Sequence, residues 1–533
     1  MRISNLFNLF GGNGGLRVSE LESLSTRSRF SDYLPWLAYD VETKRYVNTD
    51  GTEGYLWECA PLAFAGLKSQ QVLKNLIQSP MPEGAILQFI LYADDDIDPF
   101  LSHFRASKLR GIPIVRKTTD TFCDFLSRGT GGLKSLSGIP IRNFRLFVSV
   151  KFPTAKKSRN LNERDEIKKS IEETLHGAAL YPEPVPPDRL IGWMWRLFNQ
   201  SDHHGHYAEG MPIRKQVISS ETAIRHHRSS IEIGGRSFRC TTPKIFPKRI
   251  DLLMTNQLFG GCWGGGSDGD QIKTPFLYTL NIIFHDQRAA LHKKCNLILM
   301  QKGVGSFALS LARKQEEFQW ATDELEKGTR FLQILPTLWV WHKEDQVAAE
   351  AITRVKRIWE SVDFVMQEDR GILPVLLMSA LPFGLYDKGK NIDLIDRDFI
   401  APAAAITSIL PIQSDFSGGG RPIIVFSGRK GQICGLDIFD KHANNHNCLV
   451  SATSGSGKSF FVNYLVYNYF GSDSIIRIID IGGSYKKLAK MFNGVYLDFG
   501  RTSNACLNPF SNIRDFKEDI SVIAAIILQM TFS

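Results

Sequence analysis

The stretch Asn447-Cys-Leu-Val-Ser-Ala-Thr-Ser-Gly-Ser-Gly-Lys-Ser-Phe-Phe461 decides how the chain is read. Its centre fits the pattern Ala/Gly-x-x-x-x-Gly-Lys-Ser/Thr with Ala452, Thr453, Ser454, Gly455, Ser456, Gly457, Lys458 and Ser459. Such small residues let successive backbone N–H groups close around a phosphate chain, and glycine permits the curvature. Lys458 then brings a positive charge to the β- and γ-phosphates and Ser459 a hydroxyl to Mg²⁺. The helix that starts there turns its positive dipole end toward the same anion. Ala452 stands where glycine is commoner, a departure that removes no phosphate contact. The context strengthens the motif. Cys448-Leu449-Val450 reads as a short buried strand before it, and Phe460, Phe461, Leu465, Val466 and Phe470 as an apolar helical stripe after it.

Working outward, Ser474-Ile-Ile-Arg-Ile-Ile-Asp480 reads as a second buried strand, so residues 447–480 are expected to form a βαβ unit with a right-handed crossover. Asp480 sits at the carboxyl end of that strand, where open α/β sheets bind ligands. A hydrophobic strand ending in Asp also marks the carboxylate that holds Mg²⁺ through water in P-loop enzymes. Against that role, Asp480 lies on the strand directly after the loop's helix and has no neighbouring Glu to orient water. It stays a candidate beside the eight loop residues.

The 533 residues suffice for about three domains, and 43% hydrophobic with 22% charged residues is ordinary for a soluble chain with a sizeable core. The formal net charge of +9 suits an acidic surface but is too diffuse to choose between lipid head groups, nucleic acid and plain solvated surface. Eight scattered cysteines without a Cys-x-x-Cys pair read as reduced and cytoplasmic. The apolar start Met1 to Phe10 is too short and interrupted for a signal peptide. The most apolar run, Ile372 to Phe383, is broken by prolines and far shorter than a membrane-spanning helix of about twenty residues.

In chain order, residues 1–30 read as a mobile N-terminus and 31–270 as an α+β domain. Its strands are expected around Gly54–Leu62, Ala85–Tyr92 and Phe144–Phe152, and its helices around Ser69–Gln78, Glu163–Gly177 and Asp188–Asn199. The proline-dense run Tyr181 to Pro187 reads as a hinge or spacer, and the aromatic helix after it either packs its Trp193, Trp195 and Phe198 or offers them to a partner. His203, His204, His206, His226 and His227 lack metal-ligand spacing and read as polar loop. Gly260 to Gly269 reads as a flexible loop. Residues 271–420 form a second α+β region with helices around Phe307–Lys327 and Asp345–Val362, and 421–533 the nucleotide domain. The fold class expected is therefore multidomain α/β, with N-terminal α+β domains before a RecA-like P-loop domain.

With these stretches quoted, the chain resembles the conjugative type IV secretion system ATPase family, F-plasmid-type TraC branch. Asp32-Tyr-Leu-Pro-Trp-Leu-Ala-Tyr-Asp40, Met81-Pro-Glu-Gly-Ala-Ile-Leu-Gln-Phe89 and Phe144-Arg-Leu-Phe-Val-Ser-Val-Lys151 look like that branch's N-terminal domain. The phosphate loop, Ile479-Asp-Ile-Gly-Gly-Ser-Tyr-Lys-Lys-Leu488 and Leu507-Asn-Pro-Phe510 look like its motor domain.

The resemblance implies an ATPase with ATP and Mg²⁺ as cofactors, peripheral at the cytoplasmic face of the inner membrane. It further implies docking on inner-membrane proteins of a type IV secretion complex, assembly as a homo-oligomer, a hexamer by the resemblance, and a role in pilus assembly and DNA transfer. Two other functions stay open: a non-hydrolysing nucleotide-binding scaffold, and a coupling-type motor that grips DNA, for which no clear motif stands in the chain. Family members continue through an Mg²⁺-coordinating Asp, a catalytic Glu and an arginine that reaches a neighbouring site. Here Ile520 to Ser533 ends inside an apolar helix, which leads us to expect an incomplete nucleotide domain, from a fragment or a truncated gene.

Overall fold

The computed structural model describes residues 29–153, 160–199, 206–247, 257–260, 270–301, 307–385, 395–499, 508, 510, 511, 513 and 515–532. The N-terminal stretch expected to be mobile, His203, His204 and most of the glycine-rich loop after Gly260 lie outside them. The chain forms two compact units. One is drawn from the chain up to Ser107 and from Arg116 to His442, the other from Lys108–Val115 and the chain from Ala443 on.

The first unit runs β1 Trp36–Asp40, β2 Arg45–Asn48, β3 Glu53–Cys59, α1 Leu67–Gln78, β4 Ala85–Asp94, α2 Asp98–Ala106, α3 Pro113–Gly129 from Arg116 on, β5 Asn143–Phe152, α4 Asn160–Gly177, β6 Glu183–Pro184 and α5 Pro187–Asn199. After these come β7 Ile224–His226, β8 Ile231–Ile233, β9 Arg236–Ile245, β10 Phe276–Phe284, α6 Arg288–Leu299, α7 Phe307–Glu326, β11 Phe331–His342, α8 Asp345–Glu360, β12 Val365–Glu368 and α9 Leu373–Ala380. It closes with β13 Phe399–Pro402, α10 Ala403–Ser408, β14 Gly418–Gly419, β15 Ile424–Ser427 and β16 Ile433–Leu436. Among the described residues thirteen strands join one sheet, along the path β1-β2-β3-β5-β4-β10-β11-β9-β8-β7 with β6, β12 and β13 at its sides. All of its pairings are antiparallel.

Antiparallel sheets commonly leave one face to water, yet β4 and β10 are buried along their whole length. Helices cover both faces. One face of β4, β5, β10 and β11 packs on Leu73 and Leu76 of α1, Ile171 and Leu175 of α4, and Ile352, Val355 and Trp359 of α8. The other face packs on Leu190, Trp193 and Leu197 of α5 and on Leu373, Leu376 and Leu377 of α9. Trp193, which the sequence left between packing and partner binding, is buried against Phe147 with ring centroids 3.7 Å apart.

The second face carries a polar rung. Ser149, Gln88 and Asn281 are register neighbours on β5, β4 and β10. Ser149 Oγ donates to Gln88 Oε1 (2.7 Å), and Gln88 Nε2 donates to Asn281 Oδ1 (2.7 Å). The chain leaving α9 lands on this rung: Phe383 N–H donates to Gln88 Oε1 (2.7 Å), while Ser379 O accepts from Asn281 Nδ2 (3.0 Å). Beside it, the buried Lys151 donates to Phe383 O and Leu385 O and pairs with Asp50. Gly54 on β3 gives the Phe383 ring its space, since a Cβ there would stand 2.5 Å from the ring.

Two expectations need revision here. Residues 31–270 and 271–420 do not hold separate sheets, because β10 inserts directly beside β4 and β11 lies between β10 and β9. The apolar edges of β4 and β9 need partners that the earlier part of the chain does not supply. The proline-dense run is no hinge either. β6 pairs with β3, and Val185 is buried and accepts the Tyr46 hydroxyl through its carbonyl (2.8 Å).

At the end of β4 one guanidinium serves three carboxylates: Arg196 lies 3.5 Å from Asp94, 3.3 Å from Asp95 and 3.6 Å from Asp96. Burial outweighs the Arg196 attraction and holds the Asp94 carboxyl up at about 6, with Asp96 and Asp95 adding repulsion. This lies above the ordinary 3.8, so the folded chain binds more protons than the unfolded one between about pH 4 and pH 6. The wild type is therefore expected to lose about 3 kcal/mol of stability relative to Asp94→Asn as pH rises through that window, measured by urea unfolding at several pH values. Gln88→Leu, similar in volume but without the amide, strands the partners of the rung and is expected to cost about 3 kcal/mol in the same assay at neutral pH.

Candidate nucleotide-binding site

In the second unit the eight loop residues form one exposed turn that runs into α11, Lys458–Gly471. Gly455 and Gly457 take φ of +78° and +96°, conformations that L side chains rarely adopt. Beyond the chain neighbours no atom stands within 4 Å of where a Cβ would lie on either, so the space beside both glycines is open. Ser456 pins the turn by donating its N–H (3.2 Å) and its hydroxyl (2.6 Å) to Thr453 O. Gly457 is the residue before the helix, and the Phe461 N–H closes the first helical bond onto Gly457 O (2.9 Å). The amides of Lys458, Ser459 and Phe460 thus stand ahead of the helical ladder, available to an anion. The Lys458 side chain is exposed at that same end. Backbone donors, an open glycine turn, an ammonium and a hydroxyl fit a Mg²⁺-bound polyphosphate, with Lys458 on the phosphates and Ser459 on the metal.

The expected strands on either side are not formed. Cys448–Val450 and Ser474–Asp480 carry no strand pairing, and Leu449 and Ile479 are 96% and 101% exposed. A buried strand needs partners along its edges and an apolar layer on both faces. The regular structure described in this unit is helical: α11, α12 Lys486–Met491 and α13 Phe516–Thr531. The apolar side chains Phe460, Val522 and Met530 remain exposed themselves and supply no such layer. Asp480 consequently ends no sheet strand. Its Oδ2 accepts the Ser484 N–H (2.6 Å), which closes a local turn with Gly483 at φ +69°.

Sequence reasoning missed a segment of this unit. Lys108–Val115 belongs to it although 328 positions of chain separate Val115 from Ala443, with 327 residues between them. Arg110 donates its N–H to Gly471 O (3.0 Å) and Nη2 to Ser474 O (3.1 Å), places Nε 3.1 Å from Asp473 Oδ1, and lies 4.0 Å over the Phe470 ring. Lys108 Nζ reaches Asn468 O (3.5 Å), and the Tyr467 hydroxyl donates to Val115 O (3.4 Å). No local signal could have disclosed these contacts, since periodicity reports neighbours along the chain and the partners are about 360 positions away.

A glycine turn opening onto Lys-Ser at the start of a helix defines a P-loop nucleotide-binding protein, and the residues on both sides say which kind. A family model described as "TraC protein" matches residues 30–385, and one described as "TraG P-loop domain" matches residues 424–529. The chain belongs to the TraC family of conjugation proteins. It is 22% identical over 540 residues to "Protein TraC" of Escherichia coli (strain K12), a match covering 93% of this chain and 60% of that relative. The second match starts close to the expected boundary near 420, whereas β15 and β16 pack within the first unit, whose compact limit is His442.

Gly457→Ala meets no steric obstacle and is penalised through φ alone, by about 1 to 2 kcal/mol. We expect Gly457→Ala to weaken a fluorescent Mg²⁺-ATP analogue by about tenfold and Lys458→Ala to remove binding, in a titration followed by anisotropy. Lys458→Ala should keep the wild-type melting profile, because its side chain is exposed, while any destabilisation in Gly457→Ala should not exceed that backbone strain.

Proposed function

We propose that this chain is the ATP-binding motor subunit of a conjugative type IV secretion system, which in its intact form powers pilus assembly and DNA transfer. The open phosphate loop at Ala452–Ser459, on a chain of the TraC family, carries the reading. The amides of Lys458, Ser459 and Phe460 at the helix start bind the phosphates, Lys458 balances their charge, and Ser459 orients the metal. Asp480 is the carboxylate nearest in role to a metal-shell group. When bound, Mg²⁺-ATP supplies the phosphoanhydride bond whose cleavage would drive movement. Inner-membrane proteins of the secretion complex as docking partners, peripheral attachment at the cytoplasmic face, a hexameric homo-oligomer and contact with DNA belong to the same proposal by family resemblance. Among the described residues no helix is long and apolar enough to cross a membrane.

A specific observation favours the second reading, a nucleotide-binding scaffold without turnover, for the 533-residue chain taken alone. Hydrolysis needs a carboxylate on the metal shell, a group orienting water and usually a neighbour's arginine, worth roughly 10³ to 10⁵ in rate. Asp480, the local carboxylate candidate, is engaged in its own turn by Ser484. The purified chain is expected to bind Mg²⁺-ATP and release phosphate at background rate in a steady-state assay. Turnover abolished by Lys458→Ala would instead establish a complete ATPase, and Asp480→Asn would then tell whether that carboxylate takes part.

A further inference from the structure

The burial of α11 is uneven in a way that the loop does not explain. Its buried residues are Asn468, Tyr469 and Gly471, all in the last turn. That turn is where Lys108–Val115 lies. A Cβ on Gly471 would stand 3.1 Å from Val115 Cγ1 and 3.2 Å from Lys108 Cδ, so the segment sits on the helix end with no room between. The chain leaving the helix is shaped to the same contact: Asp473 takes φ +69° and presents its carboxylate to Arg110. Two cations, Lys108 and Arg110, thus meet the carbonyl end of the helix, where the dipole favours positive charge.

We propose that Lys108–Val115 is a clamp that sets the orientation of the nucleotide-binding helix, with Arg110 as its positioning residue. The inference rests on the phosphate-loop reading. A 14-residue helix is a stiff rod of about 21 Å. Its first turn carries the amides, Lys458 and Ser459 that face the phosphates, so fixing its far end fixes where these groups point. Strands at 448–450 and 474–480 are not paired; the Phe492 ring stacks on Phe470 with centroids 4.0 Å apart, and the clamp anchors the same helix end from a distant part of the chain. Arg110 never touches the nucleotide; it acts through α11. Linkage makes the effect reciprocal: if a docked clamp raises nucleotide affinity by some factor, bound nucleotide must stabilise docking by the same factor.

The Arg110 amide reports docking directly, because it is hydrogen-bonded to Gly471 O. In the full chain, saturating Mg²⁺-ATP is expected to slow hydrogen exchange at Arg110 by about tenfold, and not in Lys458→Ala. Arg110→Ala, and independently Gly471→Leu, which wedges the clamp from the helix side, should each weaken the fluorescent ATP analogue by about tenfold. Arg110→Lys, keeping the charge but not the fork, should recover part of the loss. Wild-type affinity in both Arg110→Ala and Gly471→Leu, or exchange at Arg110 indifferent to nucleotide that is shown to bind, overturns the clamp while leaving the binding site intact. A wild-type chain that binds no nucleotide overturns the phosphate-loop reading and the clamp's role with it.

Discussion

The rung Ser149–Gln88–Asn281 is the constraint on which the first unit depends. Buried polar groups are costly unless paired, so three such side chains at one level tolerate only the register in which they meet. That register fixes the alignment of β5, β4 and β10 at once. The same level receives the chain after α9, so one set of hydrogen bonds sets strand order and seats a covering segment on the sheet. Apolar neighbours alone would allow a slip by two residues, because the strands are hydrophobic on both faces and such a slip returns similar side chains to each face. Specificity thus comes from the polar level and cohesion from the aromatic layers above and below it.

Much of this fold was legible in the chain. β3, β4 and β5 were read from runs of strand-forming residues, and α1, α4, α5, α7 and α8 from helical periodicity, because each is a local pattern. The partition was less legible. A boundary at 270 follows from composition, but strand pairing is non-local: β10 belongs beside β4 through edge complementarity that no window of sequence contains. The proline-dense run misled for a related reason. Proline lacks a donor, yet β6 needs only two residues at the side of β3, and Val185 supplies the burial.

The turn at 452–459 was legible as a glycine turn that opens a helix, since backbone curvature of that kind is specified by the spacing of the small residues. Its flanks were not. Apolar runs at 448–450 and 474–480 have the composition of buried strands, but composition records what a segment can pair with and not whether a partner stands beside it. The Arg110 contacts show the converse case, an interaction with no local signature that depends on two segments far apart meeting at a helix end.

Sheet order also dictates a timetable for synthesis. β4 ends at Asp94, and its neighbour on one side, β10, begins only at Phe276. At roughly 5 to 20 residues per second, some ten to forty seconds pass in which β4 has left the ribosome with one apolar edge bare. Gln88 and Asn281, 193 positions apart, cannot meet before then. The early β3-β5-β4 ribbon must therefore survive as an unsealed intermediate, with its hydrogen-bonding edge exposed to any other extended chain nearby. Growth conditions that slow elongation lengthen that exposure, which makes yield of folded protein sensitive to translation rate and to chaperones that shield strand edges.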